Sequence, residues 1–521
     1  MLTRLRVRGF KNLADVDVSF GPFTCIAGAN GVGKSNLFDA ITFLSALADR
    51  PLMEAAKSVR DERNHSTDVR SLFLSLGAMP VDEISFEAEM LIPGSGRDDL
   101  GQEAEAKITF VQYGLALRFR RDQEAPSAER LEITREELRQ INVGDALKHL
   151  QFPHSRAWRG SVAGGRRTAP FLSTEGDPAN LKIKLHQDGR SGKPREYLAS
   201  SLPRTVLSST NAAESPTALL ARREMQSWRL LQLEPSSLRN SDFFNAPTHV
   251  GTDGSHLAST LYHLARMEMG NGESRAKLGG GEGMADTGNG KKPLTGPIYA
   301  KVVNQLSQLV DDLREVRVDV DQQRELLTLQ VRDRHGNLHA ARALSDGTLR
   351  FLALAILEQD PGAQGLLCFE EPENGIHPAR IGAMLTLLKG LCVDPQDPKG
   401  PDNPLRQVIV NTHSPAVVGL VEDADLLVAE PREAIVGGQR CRAVGFAWLG
   451  DTWRDRAFPD VGTVPRGTLG AYLNPLAIAA AGASGSAGVG KQQRNRPRRV
   501  KDRDDLQDLR PYLPGFLLER E

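Results

Sequence analysis

Cysteine is scarce in this chain. Four occur in 521 residues, at Cys25, Cys368, Cys392 and Cys441. No C-x-x-C pair or metal-ligand spacing is present, so no zinc module is indicated. Cys25 and Cys368 lie inside apolar runs, which predicts buried, reduced thiols and a reducing compartment. No apolar run reaches the ~18–20 residues that cross a bilayer. The opening MLTRLRVRGF alternates apolar and basic residues, which predicts a strand rather than the continuous apolar core of a signal peptide. The expected location is the cytoplasm, with no membrane partner. Net charge is −1, so no global field draws the chain to nucleic acid or membrane. Internal repeats and long heptad runs are also missing, which excludes a long coiled-coil arm.

What is present suits a soluble globular protein of two or three structural units, with 40% apolar and 25% charged residues. Residues 2–10 and 16–20 alternate as half-buried strands, and 22–27 form a short apolar strand. From Ser35 the apolar residues Leu37, Ile41, Leu44 and Leu47 fall at helical spacing. Strands are expected at 83–91 and 107–120, whereas 121–180 is polar and poorly periodic. Helices are expected at 215–236, 255–268 and 297–315, with a glycine-rich flexible loop at 270–293. Strands at 316–333 and 338–343 flank a turn at 334–337. GLLCF (365–369) and QVIVNT (407–412) are continuous apolar runs of the kind buried parallel strands require. Beyond residue 430 the pattern weakens into an Ala/Gly/Ser-rich stretch at 478–490 and a basic run at 491–503.

Four motifs carry chemistry. Gly28-Ala29-Asn30-Gly31-Val32-Gly33-Lys34-Ser35 fits G-x-x-x-x-G-K-[ST] between an expected strand and an expected helix. Glycines let consecutive N–H groups curl round phosphate oxygens, and the helix start adds partial positive charge. Lys34 is positioned for the β/γ-phosphates and Ser35 for Mg²⁺. Glu370 and Glu371 end an apolar strand, the place where ligands gather in parallel sheets. Glu370 is assigned to metal and Glu371 to the general base. Leu344-Ser345-Asp346-Gly347-Thr348 opens a helix, either as a second anion site or as an ordinary serine cap. His413 follows a buried strand, where it could reach a γ-phosphate.

Taken in order, these residues resemble the ABC-type ATPase heads of the SMC, RecF and OLD proteins, over about 1–120 and 300–425. RGFKNL (8–13) resembles the family's opening strand and loop, and GANGVGKSN its Walker A. LSDGT resembles the signature, FEEPENGIHP (369–378) the Walker B and D-loop, and NTHSP the switch histidine. The resemblance implies ATP and Mg²⁺ as cofactors and a homodimer closed head to tail round the nucleotide. It implies nucleotide contacts from Lys11, Asn12, Asn30, Gly31, Val32, Gly33, Lys34, Ser35 and Asn36. From a second copy it implies Ser345 and Gly347. Asn374, Gly375 and His377 would lie in the D-loop, and His413 would sense the γ-phosphate. The implied function is an ATP-hydrolysing switch acting on DNA or on an effector protein, as in DNA repair or phage defence.

The implied fold is α/β: a P-loop NTPase of the ABC-ATPase head type, with a mixed sheet, an antiparallel β lobe and a helical insertion. The expected divisions are 1–120 and 301–430 as the two parts of the head, 121–300 as a mostly helical insertion, and 431–521 as an extension with a basic tail. Departures from the pattern are Asp346 in place of a small residue, and Glu370 in place of the commoner Asp. The sequence does not place the glutamine of the Q-loop; Gln102 and Gln112 are the candidates, and neither stands out. The family's nuclease members add a metal-binding Toprim domain; Glu422-Asp423-Ala424-Asp425 follows His413 but no later strand with a D-x-D unit does, so no built-in nuclease is expected. A non-hydrolysing ATP-dependent scaffold and a transporter ATPase subunit are the competing functions.

Overall fold

A computed structural model describes residues 1–59, 68–76, 79–121, 129–178, 180–189, 192–278, 296–307, 313–459, 462–464, 469 and 499. They fall into two compact units. The first draws on Met1–Arg229, Gly365–Cys368 and Val393–Glu521, and the second on Leu230–Gln364 and Phe369–Cys392.

The first unit contains an antiparallel sheet and a mixed sheet. The antiparallel sheet has eight strands, in the order Arg195–Leu198, Lys182–Leu185, Leu172–Glu175, Glu129–Gln140, Phe110–Arg121, Glu83–Leu91, Leu2–Phe10 and Leu13–Ser19. Alternation sets its faces. Leu5 and Val7 are buried opposite Val18 and Val16, while Arg4 and Arg8 turn outward to Asp17 and Asp15 at 2.6 and 3.2 Å. Phe10, Phe86 and Phe43 form an aromatic cluster with centroids 5.5–5.9 Å apart. This cluster fixes the helix Lys34–Leu47 against two strands of the sheet.

In the mixed sheet, Gly365–Glu370 neighbours Arg406–Thr412, followed by Phe23–Ala27, Leu426–Val436 and Gln439–Ala447. Phe23–Ala27 runs parallel to both of its neighbours, and the last pair is antiparallel. Every residue of Phe23–Ala27 and of Arg406–Thr412 is buried, as two-sided burial of a parallel strand demands. Gln407, fully buried, accepts from the Leu2 amide at 2.9 Å and donates to Leu2 and Gly21 carbonyls at 2.7 and 2.8 Å. One satisfied amide thus stitches the opening strand to the mixed sheet. Arg454 is also buried and donates to the Ser19 carbonyl at 3.2 Å; burial pushes its guanidinium down to about 9, opposed by Asp425.

The second unit holds the helices Leu257–Leu278, Pro297–Ser307, Asp346–Gln359 and Ile381–Gly390. Its small antiparallel sheet runs Asp242–Phe243, Leu326–Asp333, Leu313–Asp321, with Leu338–Ala340 also paired to Leu326–Asp333.

The α/β P-loop architecture with a mixed sheet and an antiparallel lobe is the expected one. The stretch 121–300 is a correction. It is not mostly helical, because Glu129–Gln140, Leu172–Glu175, Lys182–Leu185 and Arg195–Leu198 extend the antiparallel sheet. Helical spacing at 215–236 also breaks early. The helix ends at Gln226 and Arg229–Leu231 is a strand, since Trp228 to Leu231 carries the apolar run and Pro235 stops any helix from continuing through it. The helix of 255–268 continues to Leu278, and the rest of the loop expected at 270–293 lies outside the described residues. The helix expected to 315 gives way to strand at Leu313. The hairpin Leu426–Val436 and Gln439–Ala447 carries regular structure past residue 430. Residues 478–490 lie outside the described residues, as does the basic run 491–503 except for Arg499.

Candidate functional site

The glycine-rich loop leaves the strand Phe23–Ala27 and enters the helix Lys34–Leu47. Two of its glycines are required by geometry. At Gly28 a side chain would meet the Ala429 carbonyl oxygen at 2.7 Å. At Gly33, φ is +114° and a side chain would collide with the Asn12 amide. The helix start has no side-chain cap and no acid in its first turn, which suits it to an anion. Ala29, Asn30 and Gly31 form the exposed crest, Val32 is buried, and Ser35 and Asn36 are half-buried. Lys34 is 6% exposed, and its Nζ donates to the Gly28 and Ala29 carbonyls at 2.7 and 3.0 Å. An ammonium held at the mouth of its own loop is placed to meet a phosphate with little movement.

Lys11 and Asn12 brace this loop. Lys11, at φ +48°, pairs with buried Asp39 of the same helix at 2.6 Å. Asn12 donates to the Val32 carbonyl at 2.8 Å and accepts from Asn36 at 2.8 Å. His413 comes from the neighbouring strand. Thr412 pairs with Ala27 in parallel register, so His413 and Gly28 leave the same end of adjacent strands. The first unit therefore gathers Lys11, Asn12, the loop 28–36 and His413.

The second unit gathers the remaining candidates. Ser345 is exposed and caps the helix Asp346–Gln359 by accepting from the Thr348 amide at 3.2 Å. Gly347 lies in its first turn, where a side chain would stand 3.2 Å from the Gly375 carbonyl oxygen. Glu370 ends its strand and accepts from Gln232 Nε2 at 2.5 Å. Glu371 adopts a left-handed φ of +45°, and Asn374 Nδ2 donates to its carboxylate at 2.9 Å. A tight turn therefore follows the strand and turns the second acid out of the strand's alternation. His377 caps the next turn, accepting from the Ala379 amide at 3.3 Å. Burial lowers the Arg350 guanidinium below its ordinary range, opposed by Asp346, Glu234 and Glu373.

Gln232, the donor to Glu370, is a glutamine that the sequence did not single out. Gln102 lies in a hairpin turn with its amide donating to Asp98 at 2.9 Å, and Gln112 stands in strand register opposite Glu89 and Arg139. The available signal was the apolar run Trp228–Leu231 ahead of Pro235, a strand end that helical periodicity concealed.

Among the described residues, no group of three or more His, Cys, Asp or Glu could hold a metal ion. Magnesium arriving with a nucleotide needs only one or two protein oxygens, because phosphate and water supply the rest. The Ser35 hydroxyl at the helix start and the strand-end carboxylate Glu370 are donors of the right chemistry. Nor is any helix, among the described residues, long and apolar enough to cross a membrane.

Comparison with known proteins agrees with these elements. A family model described as "AAA domain" matches residues 4–89, and one described as "AAA domain, putative AbiEii toxin, Type IV TA system" matches residues 291–419. The OLD nuclease of Thermus scotoductus (strain ATCC 700910 / SA-01) is 49% identical over 41 residues, which is 8% of this chain and 8% of that protein. An SMC head bound to the C-winged helix domain of ScpA aligns with 86% of this chain and 98% of its own, at 14% identity and a TM-score of 0.44. An SMC head with an extended coiled coil, bound to the C-terminal domain of ScpA derived from Pyrococcus furiosus, covers 86% and 96%, at 12% and 0.41. The SMC head domain from Thermotoga maritima covers 86% and 98%, at 10% and 0.34. Two stretches of the chain, 4–89 and 291–419, are thus similar to AAA domains.

Proposed function

We propose that this chain binds MgATP in the loop 28–35, hydrolyses it, and uses the cycle to close and reopen a head-to-tail pair of its own copies. The observation that carries the reading is the loop: an uncapped helix start, two glycines that tolerate no side chain, and a lysine held at its mouth. The backbone N–H groups and Lys34 bind the phosphates, with Asn12 and Asn36 keeping the loop in shape. Ser35 and Glu370 would hold magnesium, which offsets the phosphate charge when bound. Glu371 takes a proton from water as its oxygen bonds to the γ-phosphorus and the bond to the β,γ-bridging oxygen breaks, leaving ADP and phosphate. His413, beside the loop in register, contacts the γ-phosphate. Ser345 and Gly347 of a second copy complete the site.

The output falls on DNA or on an effector protein. A toxin of a type IV TA system and an OLD nuclease are among the matched names, which supports a defence setting over repair. This part rests on likeness and not on a site.

Steady-state ATPase at saturating Mg²⁺, with and without DNA, is the deciding assay. Glu371→Gln should lower kcat by roughly 10²–10³-fold, the share a general base supplies, while nucleotide affinity holds and the dimer accumulates. Undiminished turnover in that variant refutes the role of Glu371. A wild-type chain that binds ATP and never turns over is instead a scaffold.

A further inference from the structure

Asp346 interrupts a turn of small residues, and it has a partner. The Arg239 guanidinium forms an ion pair with the Asp346 carboxylate and donates to the Leu344 carbonyl at 3.2 Å. One side chain thus grips the residues on both sides of Ser345. Arg239 belongs to a short strap with other attachments. Gln232 Nε2 donates to Glu370 at 2.5 Å, and the Leu233 carbonyl accepts from Arg350 Nε of the signature helix at 3.1 Å. The strap is fastened from behind by the stretch Thr252-Asp253-Gly254-Ser255. The Gln232 and Glu234 amides donate to the Thr252 and Asp253 carbonyls at 2.8 and 2.9 Å. Ser237 Oγ donates to the Asp253 carboxylate at 2.8 Å. At Gly254, φ is +88° and a side chain would meet Leu238 at 2.7 Å. Thr252-Asp253-Gly254-Ser255 thus anchors the strap rather than capping the helix Leu257–Leu278 that follows. Asp242 caps that helix, accepting from the Ser259 amide at 3.0 Å.

We propose that Arg239 is a positioning residue that sets Ser345 for a second copy's nucleotide, and that the strap 232–239 ties this setting to Glu370. Two arguments lead there. Asp346 and Arg239 are 46% and 29% exposed, and a pair so wet adds little stability, so its geometry is the larger consequence. A bare carboxylate in the first turn would also repel the phosphate that a helix start otherwise attracts, and the guanidinium cancels that charge. Both bonds come from one guanidinium nitrogen, so an ammonium on a shorter stem keeps the donors but not the reach. Because Gln232 and Arg239 share one fastened segment, a change at Glu370 on metal binding moves the grip on Ser345. This rests on the hydrolytic reading above.

The test is complementation between variants in full-length protein. Arg239→Ala should lose roughly tenfold or more in kcat, as expected for a lost charged hydrogen bond. Its affinity for a fluorescent ATP analogue should stay within about twofold, and Arg239→Lys should recover part of the rate. Lys34→Ala should be inactive alone. Mixing it with Arg239→Ala should restore turnover, because one of the two sites then pairs an intact phosphate loop with an intact signature turn. A mixture no faster than Arg239→Ala alone, or wild-type turnover in Arg239→Ala, overturns the proposal. Hydrogen exchange judges the grip even if the wild-type chain proves not to hydrolyse ATP. Protection at 344–349 should fall in Arg239→Ala while 28–47 stays unchanged, and unaltered exchange at 344–349 sinks the idea.

Discussion

The phosphate loop and the signature turn are both glycine-bearing loops that open a fourteen-residue helix, yet they treat the helix start in opposite ways. The first leaves it uncapped and free of acids. The second closes it with the Ser345 hydroxyl and places Asp346 in the first turn. A helix start with its N–H groups unspent attracts anions, and one already capped and faced by a carboxylate does not. The two turns are therefore not two copies of one device. On the proposed function, the first holds a triphosphate alone, and the second has too little unspent attraction to do so. This supports the proposal that the second completes a site already filled on another copy.

Matched glycine substitutions give the sharpest break of that comparison. Gly33→Ala should raise the nucleotide dissociation constant by about 100-fold or more, because a left-handed residue gains a side chain that collides with Asn12. Gly347→Ala, at a helical φ and with 3.2 Å to the Gly375 oxygen, should leave that constant nearly unchanged and cut turnover by only about threefold. Equilibrium titration with a fluorescent ATP analogue, beside kcat for each variant, measures both. Equal losses of affinity would mean the two turns do the same work.

Ser345→Ala gives a smaller effect with two separable parts. Losing the cap should destabilise the chain by about 1 kcal/mol, seen in denaturant unfolding. Turnover should fall further than this loss explains, while ATP affinity stays put. A variant with the stability loss and full turnover would reduce Ser345 to a cap.

The loop around Gly28 was legible because everything it needs lies within one stretch: an apolar strand, glycines, Lys34 and a periodic helix whose Leu37, Ile41, Leu44 and Leu47 are all buried. The strand at Gly365 and the strand before His413 were legible for the same reason, as unbroken apolar runs. The bracing was not. Arg239 meets Asp346, and Gln232 meets Glu370, across more than a hundred residues, and an exposed arginine or glutamine carries no periodic signal. The antiparallel lobe was hidden differently. In Glu129–Gln140 the apolar residues alternate only between charged ones, and a bulge between Ile133 and Arg135 shifts the period. Polarity there marked the solvent face of an interior strand, not a helical insertion.

The smallest effect on nucleotide binding comes from the support beneath the phosphate-loop helix, a place where pH should act through stability and leave the chemistry alone. Glu136 is fully buried, accepts the Val206 and Leu207 amides at 2.8 and 2.9 Å, and faces Tyr113 at 3.2 Å. The neighbouring Thr205 donates to the Leu47 carbonyl at the end of that helix, at 3.0 Å. Burial raises the Glu136 carboxyl to about 7, opposed by the two amides and Tyr113. The folded chain then keeps its proton over a range where the unfolded chain, at an ordinary 4.5, has lost it. The stabilisation is complete below about pH 4.5 and is lost as pH rises through about 7, by roughly 3 kcal/mol. Glu136→Gln removes the titrating group while keeping its shape. Its stability should be flatter than wild type between those pH values, and its nucleotide affinity should match wild type at pH 7. Denaturant midpoints measured across that range decide it, and parallel pH profiles for the two proteins would show that Glu136 ionises as freely in the folded chain as in the unfolded one.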